Sequence, residues 1–440
     1  MANSEWRSAT LGAIAQREYG LVDGPFGSNL PASDYTRSGV PVIRGSNLSL
    51  GGTRFSDKEF VFVSEDTARR LSRSTCKAED IIFTKKGTLG QTGIVPRHHE
   101  FDRFLLSSNQ MKLSVDRMKA DPLFIYYVVS SPASRTKLIQ DSSVTGVPKT
   151  NLTYLREFSI LLPPLAEQTK IANALGALDD MIELNRKLNV ALEAMARALF
   201  KSWFVDVDPV RAKAEGRDPG LPAQIAALFP DSFEDSELGE IPKGWMVKQI
   251  GDLAIVQGGS TPSTKESSYW EDGTHYWVTP KDLSGLSNPV LLGSERRITD
   301  AGLTQISSGL LPAGTVLLSS RAPIGYLAVA EVPVAINQGF IAMQPLEGVS
   351  NLFLLLWAEV AHEAILSRAN GSTFLEISKS SFRPIPVVVP TPALMNAFDR
   401  AVRPLYSHVV VNERESRTLS SLRDSFLPRL ISGDLRIGER

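Results

Sequence analysis

Two stretches of this chain, roughly 230 residues apart, pass the same landmarks in the same order. Trp6 followed by Leu11-Gly12-Ala13-Ile14-Ala15 answers to Trp245 followed by Ile250-Gly251-Asp252-Leu253-Ala254. Pro41-Val42-Ile43-Arg44-Gly45-Ser46-Asn47-Leu48 falls against Tyr276-Trp277-Val278-Thr279-Pro280-Lys281-Asp282-Leu283. Ile81-Ile82-Phe83 then Thr88-Leu89-Gly90 parallels Val316-Leu317-Leu318 then Pro323-Ile324-Gly325. Asn109-Gln110 returns as Asn337-Gln338, and Leu123-Phe124 as Leu352-Phe353. Each match is weak alone, but the shared order is not. Solenoid periods run about 20–50 residues, so this longer period reads as duplication of a whole domain unit.

From residue 155 onward the copies run without a gap at an offset of 227, with identities at Arg156/Arg383, Pro163/Pro390, Asn185/Asn412 and Leu192/Leu419. A loop would have drifted in length, so a rigid element is expected. After Pro163-Pro164, apolar residues fall at Ile171, Ala174, Leu178, Met181, Leu188, Leu192, Met195 and Leu199, with Asn185 in the missing slot. Spacing that alternates three and four predicts a coiled-coil helix over 161–204. The second copy carries Phe398, Val402, Leu405, Val409, Leu419 and Phe426, with Asn412 where Asn185 stood. A polar seam residue lowers stability but fixes register. Pro404 should kink this helix or start it, and Phe426-Leu427-Pro428-Arg429 should end it early.

The expected fold is α/β (α+β): a globular unit over 1–160, a helix over 161–204, a second unit over 245–390, a helix over 391–430 and a tail over 431–440. Short apolar runs such as Val40–Ile43, Ile81–Phe83 and Pro386–Val389, bounded by Gly, Pro, Ser and Asn, predict strands in both units. Residues 205–244, acidic and rich in Pro and Gly, read as a surface linker.

The net charge of −1 in 440 residues divides into +5 over 1–160, −5 over 161–244, −3 over 245–393 and +2 over 394–440. A free-standing nucleic-acid binder is usually more basic, so a chain like this would bind DNA with help. No run of 18 apolar residues is present, the first residues lack a basic stretch leading into an apolar one, and Cys76 is the single cysteine. These features predict a cytoplasmic protein without membrane, disulfide or cysteine-built zinc site.

No catalytic constellation stands out. Walker A, His-Glu-x-x-His and Cys-x-x-Cys patterns are missing, and Pro163-Pro164 is flanked by Leu162 and Leu165 instead of the Asn/Asp and aromatic of an amino-methyltransferase. The five histidines are scattered. Lys85-Lys86-Gly87-Thr88-Leu89-Gly90-Gln91-Thr92-Gly93 could cradle a phosphate. Its counterpart Ser319-Ser320-Arg321-Ala322-Pro323-Ile324-Gly325 loses two of the three glycines, which favours a structural turn or a DNA-backbone contact over a nucleotide site.

Two α/β units, each followed by a long helix, with Leu161-Leu162-Pro163-Pro164-Leu165-Ala166-Glu167-Gln168 opening the first helix, resemble the specificity subunit of type I restriction–modification systems. Gly239-Glu240-Ile241-Pro242-Lys243-Gly244-Trp245 and Arg321-Ala322-Pro323-Ile324-Gly325 carry the likeness too, while Pro390-Thr391-Pro392-Ala393-Leu394 departs from it. The resemblance implies two target-recognition domains forming an internal pseudo-twofold repeat, an antiparallel helix pair as a coiled coil, and double-stranded DNA as ligand. It also implies two methyltransferase subunits as partners, which restriction subunits can join. S-adenosylmethionine, ATP and Mg²⁺ would then belong to those partners, and this chain would be non-catalytic, with no cofactor or metal of its own. Candidate DNA contacts are Arg44, Ser46 and Asn47 with Thr279, Lys281 and Asp282 at strand ends, and Lys85, Lys86, Lys149, Arg321 and Lys379 for phosphates. Each is also readable as an ordinary surface polar residue. A self-contained methyltransferase or nuclease, or a coiled-coil adaptor that never meets DNA, are the alternatives.

Overall fold

The two ends of each repeat pair as antiparallel ribbons: Arg7–Thr10 with Ser159–Leu162, and Met246–Gln249 with Pro386–Val389. The computed structural model describes residues 6–142, 150–371 and 375–438. The chain divides into two units, the first residues 1–184 with 416–440 and the second 185–415.

In the first unit, Leu21–Asp23, Gln110–Leu113, Ile81–Thr84 and Thr92–Ile94 form an antiparallel four-stranded sheet in that order. Ile81 and Phe83 face one apolar cluster and Ile82 another, so this run is continuously apolar because both its faces are covered. A five-stranded sheet sets Val40–Ile43 parallel to Phe104–Leu106. The helix Pro122–Ser130 begins where Asp121 Oδ1 accepts the N–H groups of Leu123 and Phe124 at 2.9 and 3.0 Å, with proline at its first position. Phe124, Ile125, Tyr126 and Tyr127 are all buried, each side chain contributing about 1.5–3 kcal/mol of apolar burial.

The second unit repeats the plan. Ala254–Gln257, Phe340–Pro345, Val316–Ser320, Ile324–Ala330 and Val290–Leu291 form one sheet, and Arg296–Ile298, His275–Val278 and Val334–Ile336 another. Ser350 Oγ accepts from Leu352 and Phe353 N–H, capping Asn351–Val360 as Asp121 caps its counterpart. The expected linker over 205–244 is folded instead. Val207, Val210, Phe229 and Ile241 are buried in the second unit's core, and Phe233–Ser236 pairs with Gly239–Pro242 as a hairpin. The acidic residues that suggested a solvated strap surround these apolar anchors.

The central helix runs Leu165–Phe200 and continues as a π-helical turn, Lys201–Val205; the C-terminal helix runs Pro392–Ser432. Pro404 neither starts nor ends the second helix, and Pro428 lies inside it. The two helices pair antiparallel within each unit. In the second, Phe200 meets Phe398, Asn412 Nδ2 donates to Asn189 Oδ1 at 2.9 Å, and Asn185 Nδ2 donates to Glu415 Oε2 at 2.8 Å. In the first, Asp179 meets Arg423, and Leu427 and Leu430 join Ile171 and Leu175 in one cluster.

This pairing corrects half of the expected seam. Ile171, Leu178, Asn185, Leu192 and Leu199 do face inward, but Met181, Leu188 and Met195 are exposed. Leu175, Ile182, Asn189 and Ala196 take the alternating places, each one residue later than Ala174, Met181, Leu188 and Met195. Phe398, Val402, Leu405, Val409, Asn412 and Leu419 are buried or half-buried, whereas Phe426 is exposed and Arg423 and Leu427 point inward. The inner stripe contains Asp179, Asn185 and Asn189, which find partners there, so a stripe that looks less apolar wins.

The helix-opening motif has a structural meaning as well. Glu167 Oε2 accepts the Trp6 indole N–H at 3.1 Å, and Gln168 donates to the Pro163 carbonyl while accepting the Asp121 N–H. In the second copy Leu394 stands where Glu167 would be, and the buried Trp245 indole N–H has no hydrogen-bond partner among the described residues. A buried donor left unpaired costs about 1–3 kcal/mol.

Candidate nucleic-acid interface

In the first unit the parallel strands Val40–Ile43 and Phe104–Leu106 stop at the same level, where Ser107 N–H donates to the Ile43 carbonyl at 3.0 Å. Beyond that point Lys85 N–H donates to the Asn109 carbonyl at 2.7 Å, and Thr150 N–H to the Lys85 carbonyl at 3.0 Å. Gly24 N–H bonds the Gln110 carbonyl at 2.9 Å. The loops after residues 23, 43, 84 and 106 thus form one junction at the strand ends.

The second unit builds the same junction. Asn337 N–H donates to Val278 O at 3.0 Å, Ser320 N–H to Gly339 O at 2.8 Å, Ile377 N–H to Ser320 O at 3.0 Å, and Ser260 N–H to Ile336 O at 3.1 Å. By these bonds Ile43 answers to Val278 and Lys85 to Ser320, while Ser107 and Asn109 answer to Asn337 and Gly339. The repeated Asn-Gln pair is therefore displaced by two residues rather than equivalent. Gln110 is buried in its strand, with Oε1 accepting the Ser107 hydroxyl, but Asn109 is exposed, and Asn337 and Gln338 lie outside the strands.

The junction sorts the candidate contacts. Asn47 is buried: its Oδ1 accepts Arg44 N–H at 2.9 Å, and its Nδ2 donates to the Ser56 and Lys58 carbonyls. Asp282 Oδ2 accepts both Thr279 N–H at 2.8 Å and Thr279 Oγ1–H at 2.7 Å. Asn47, Thr279 and Asp282 therefore shape their own loops. Arg44 Nη2 donates to the Glu59 carbonyl at 2.7 Å. Ser46 and Lys281 are exposed on the same loops, with Lys281 3.6 Å from Glu295. Lys85 pairs with Asp23 at 3.0 Å beside the exposed Lys86, and Arg321 lies 3.6 Å from Glu376 with Lys379 exposed nearby in sequence. Lys149 lies outside the described residues.

The glycine-rich segment turns between two strands of the four-stranded sheet, with Gly87 and Gly90 at φ of +103° and +86°, where a side chain would be strained. Its Leu89 N–H donates to the Gly87 carbonyl, so that amide serves the turn itself. A second feature, the stacking of Arg296 on Trp270 and Trp277, joins residues far apart in sequence. The adjacent basic pair Arg296-Arg297 was the available signal; cross-strand register supplies the rest. Among the described residues no cluster of three or more His, Cys, Asp and Glu could hold a metal ion, and no helix is long and apolar enough to cross a membrane.

Comparison with known proteins agrees with this duplicated arrangement. Residues 27–194 and 242–394 match the family described as type I restriction modification DNA specificity domain. The HindI specificity subunit of Haemophilus influenzae is 26% identical over 384 residues, covering 77% of this chain and 82% of that protein. The MjaIX specificity subunit of Methanocaldococcus jannaschii is 41% identical over 162 residues, 36% of this chain and 37% of that one. In fold, the S subunit of a type I restriction–modification system from M. genitalium matches 100% of this chain and 98% of its own, with a TM-score of 0.61 at 16% identity.

Proposed function

This chain belongs to the family of type I restriction modification DNA specificity domains, and from that premise we infer that it is the recognition subunit of a restriction–modification complex. Each unit reads one half of a split duplex site. The observation that carries this reading is the junction built twice from equivalent backbone bonds but furnished with different side chains, Arg44 and Ser46 against Lys281. One scaffold with two sets of readers suits an asymmetric, bipartite sequence.

The chemistry belongs to partner subunits. Two modification subunits, one per repeat, transfer the methyl group of S-adenosylmethionine to adenine N6, a position reached only when the base leaves the stack. Restriction subunits that use ATP and Mg²⁺ complete the assembly. The apolar side chains left outside the helix pair, Leu188 and Met195 in the second unit and Met181 and Leu184 in the first, support docking of a helical partner. Partner subunits also supply the positive charge that a chain of net charge −1 lacks.

The test is to assemble the full chain with modification subunits and S-adenosylmethionine and to sequence the methylated adenines. One bipartite motif with an unread gap of constant length is expected. Methylation by the chain alone would overturn the reading, and assembly without sequence-specific binding to duplex DNA would favour an adaptor. Four residues inserted after Leu184 and four after Glu415 lengthen each helix by about 6 Å, or nearly two base pairs. An unchanged gap would rule the helices out as the spacer.

A further inference from the structure

Arg296 differs from the other cations of the second unit in what it lies on. Its guanidinium carbon is 3.8 Å from the centre of the Trp270 ring and 4.9 Å from that of Trp277, and the two indoles meet edge to face at 5.0 Å. Trp277 stands directly opposite Arg296 in antiparallel register. Both rings are fixed by their own N–H groups, Trp270 to the Ser263 carbonyl at 2.9 Å and Trp277 to the Ser260 carbonyl at 3.3 Å. Ser260 belongs to the loop junction through its bond to Ile336, so the platform is tied to the strand ends already assigned to recognition.

Arg296 itself is exposed, on the edge strand of its sheet, and no carboxylate pairs with it among the described residues. Lys281 and Arg321, by contrast, each face a glutamate at 3.6 Å. A guanidinium stacked on an indole keeps its in-plane N–H donors at the free edge, pre-organised as a planar fork. That fork matches O6 and N7 of guanine in the major groove. Among the described residues the first unit has no equivalent: Val42 pairs with Val61 where Trp277 pairs with Arg296. A feature confined to one unit is what two different half-sites require.

We propose that Arg296, held on the Trp270–Trp277 platform, reads a guanine in the half-site bound by the second unit. The inference rests on the recognition role proposed above. Its test uses the full chain with its modification subunits, selecting from a pool of duplexes randomised across both half-sites at fixed salt. The wild-type complex selects a G·C pair at one position that both Arg296→Ala and Arg296→Gln release, discrimination there falling about ten- to a hundredfold while other positions hold. Glutamine pairs with adenine rather than guanine, and an unchanged thermal melt of Arg296→Gln excludes misfolding as the cause. Retained guanine preference in Arg296→Gln overturns the proposal. So does an equal loss on all sequences with a salt slope lower by about one, the mark of a phosphate contact. A wild-type complex that selects no sequence at all would instead sink the recognition role itself, and this inference with it.

Discussion

Arg423 donates from Nη1 to Asp179 Oδ1 at 2.8 Å, and both side chains are buried. The pair joins the C-terminal helix to the central helix in the first unit, and Tyr127 O–H donates to the other carboxylate oxygen at 2.6 Å. Removing one partner of a buried pair costs about 3–5 kcal/mol, here leaving Arg423 with the exposed Asp424 at 2.8 Å, whereas replacing both by apolar residues costs far less. Asp179→Ala should therefore destabilise the first unit more than Asp179→Leu combined with Arg423→Leu. Urea melts, read with hydrogen exchange over Pro122–Ser130, measure the difference.

The same carboxylate bears on alkaline stability. Burial, reinforced by Asp179, holds the Tyr127 hydroxyl far above its ordinary pKa of 10.0, and burial followed by Glu331 does the same for Tyr406. A group whose folded pKa is raised stays protonated in the native chain while the unfolded chain releases its proton. Its stabilising effect is complete below pH 10 and is lost as pH climbs above it. Melting temperature should fall above pH 10, and Tyr127→Phe should flatten that fall. A tyrosinate absorbance titration should show delayed ionisation that ends at unfolding.

Some of this was legible in the sequence and some was not, for physical reasons. Ile81–Phe83 reads as a strand because both faces are covered, and the gap-free offset of 227 reveals the helices because a rod tolerates no insertions. The inner stripe of the central helix was hidden. Stripes through Met181, Leu188 and Met195 or through Ile182, Asn189 and Ala196 both satisfy the three–four spacing. What decides between them is Asn412 opposite Asn189 and Arg423 opposite Asp179, partners more than 200 residues away. Asn47 reads as a base contact until Ser56 and Lys58 are placed beside it. The segment over 205–244 reads as solvated because composition weighs its acids above Phe229 and Ile241, which anchor it.

The outward stripe makes a separable prediction. Leu188 and Met195 are 45% and 54% exposed, so Leu188→Glu with Met195→Lys should leave folding within about 0.5 kcal/mol of the wild type. The same pair should weaken assembly with modification subunits at least tenfold, because charges would enter an apolar contact. Size-exclusion chromatography of the mixed subunits and a melt of the lone chain read the two effects. Loss of stability without loss of assembly would remove this face from the docking surface.

Lys85 and Lys86 are neighbours with different prospects on DNA. Lys85 already faces Asp23 at 3.0 Å, while Lys86 is exposed on the turn that precedes Gly87. A cation that contacts a phosphate releases about 0.9 counterion from duplex DNA, and one already paired with a carboxylate displaces fewer. Lys86→Ala should lower affinity about equally for cognate and unrelated duplexes and reduce the slope of log affinity against log salt by close to 0.9. Lys85→Ala should change the slope less, and Asp23→Asn, which frees Lys85, should raise affinity at low salt. Binding isotherms of the assembled complex between about 50 and 200 mM salt measure all three. If Lys86→Ala lowers affinity for the cognate sequence alone, this turn meets a base rather than the backbone.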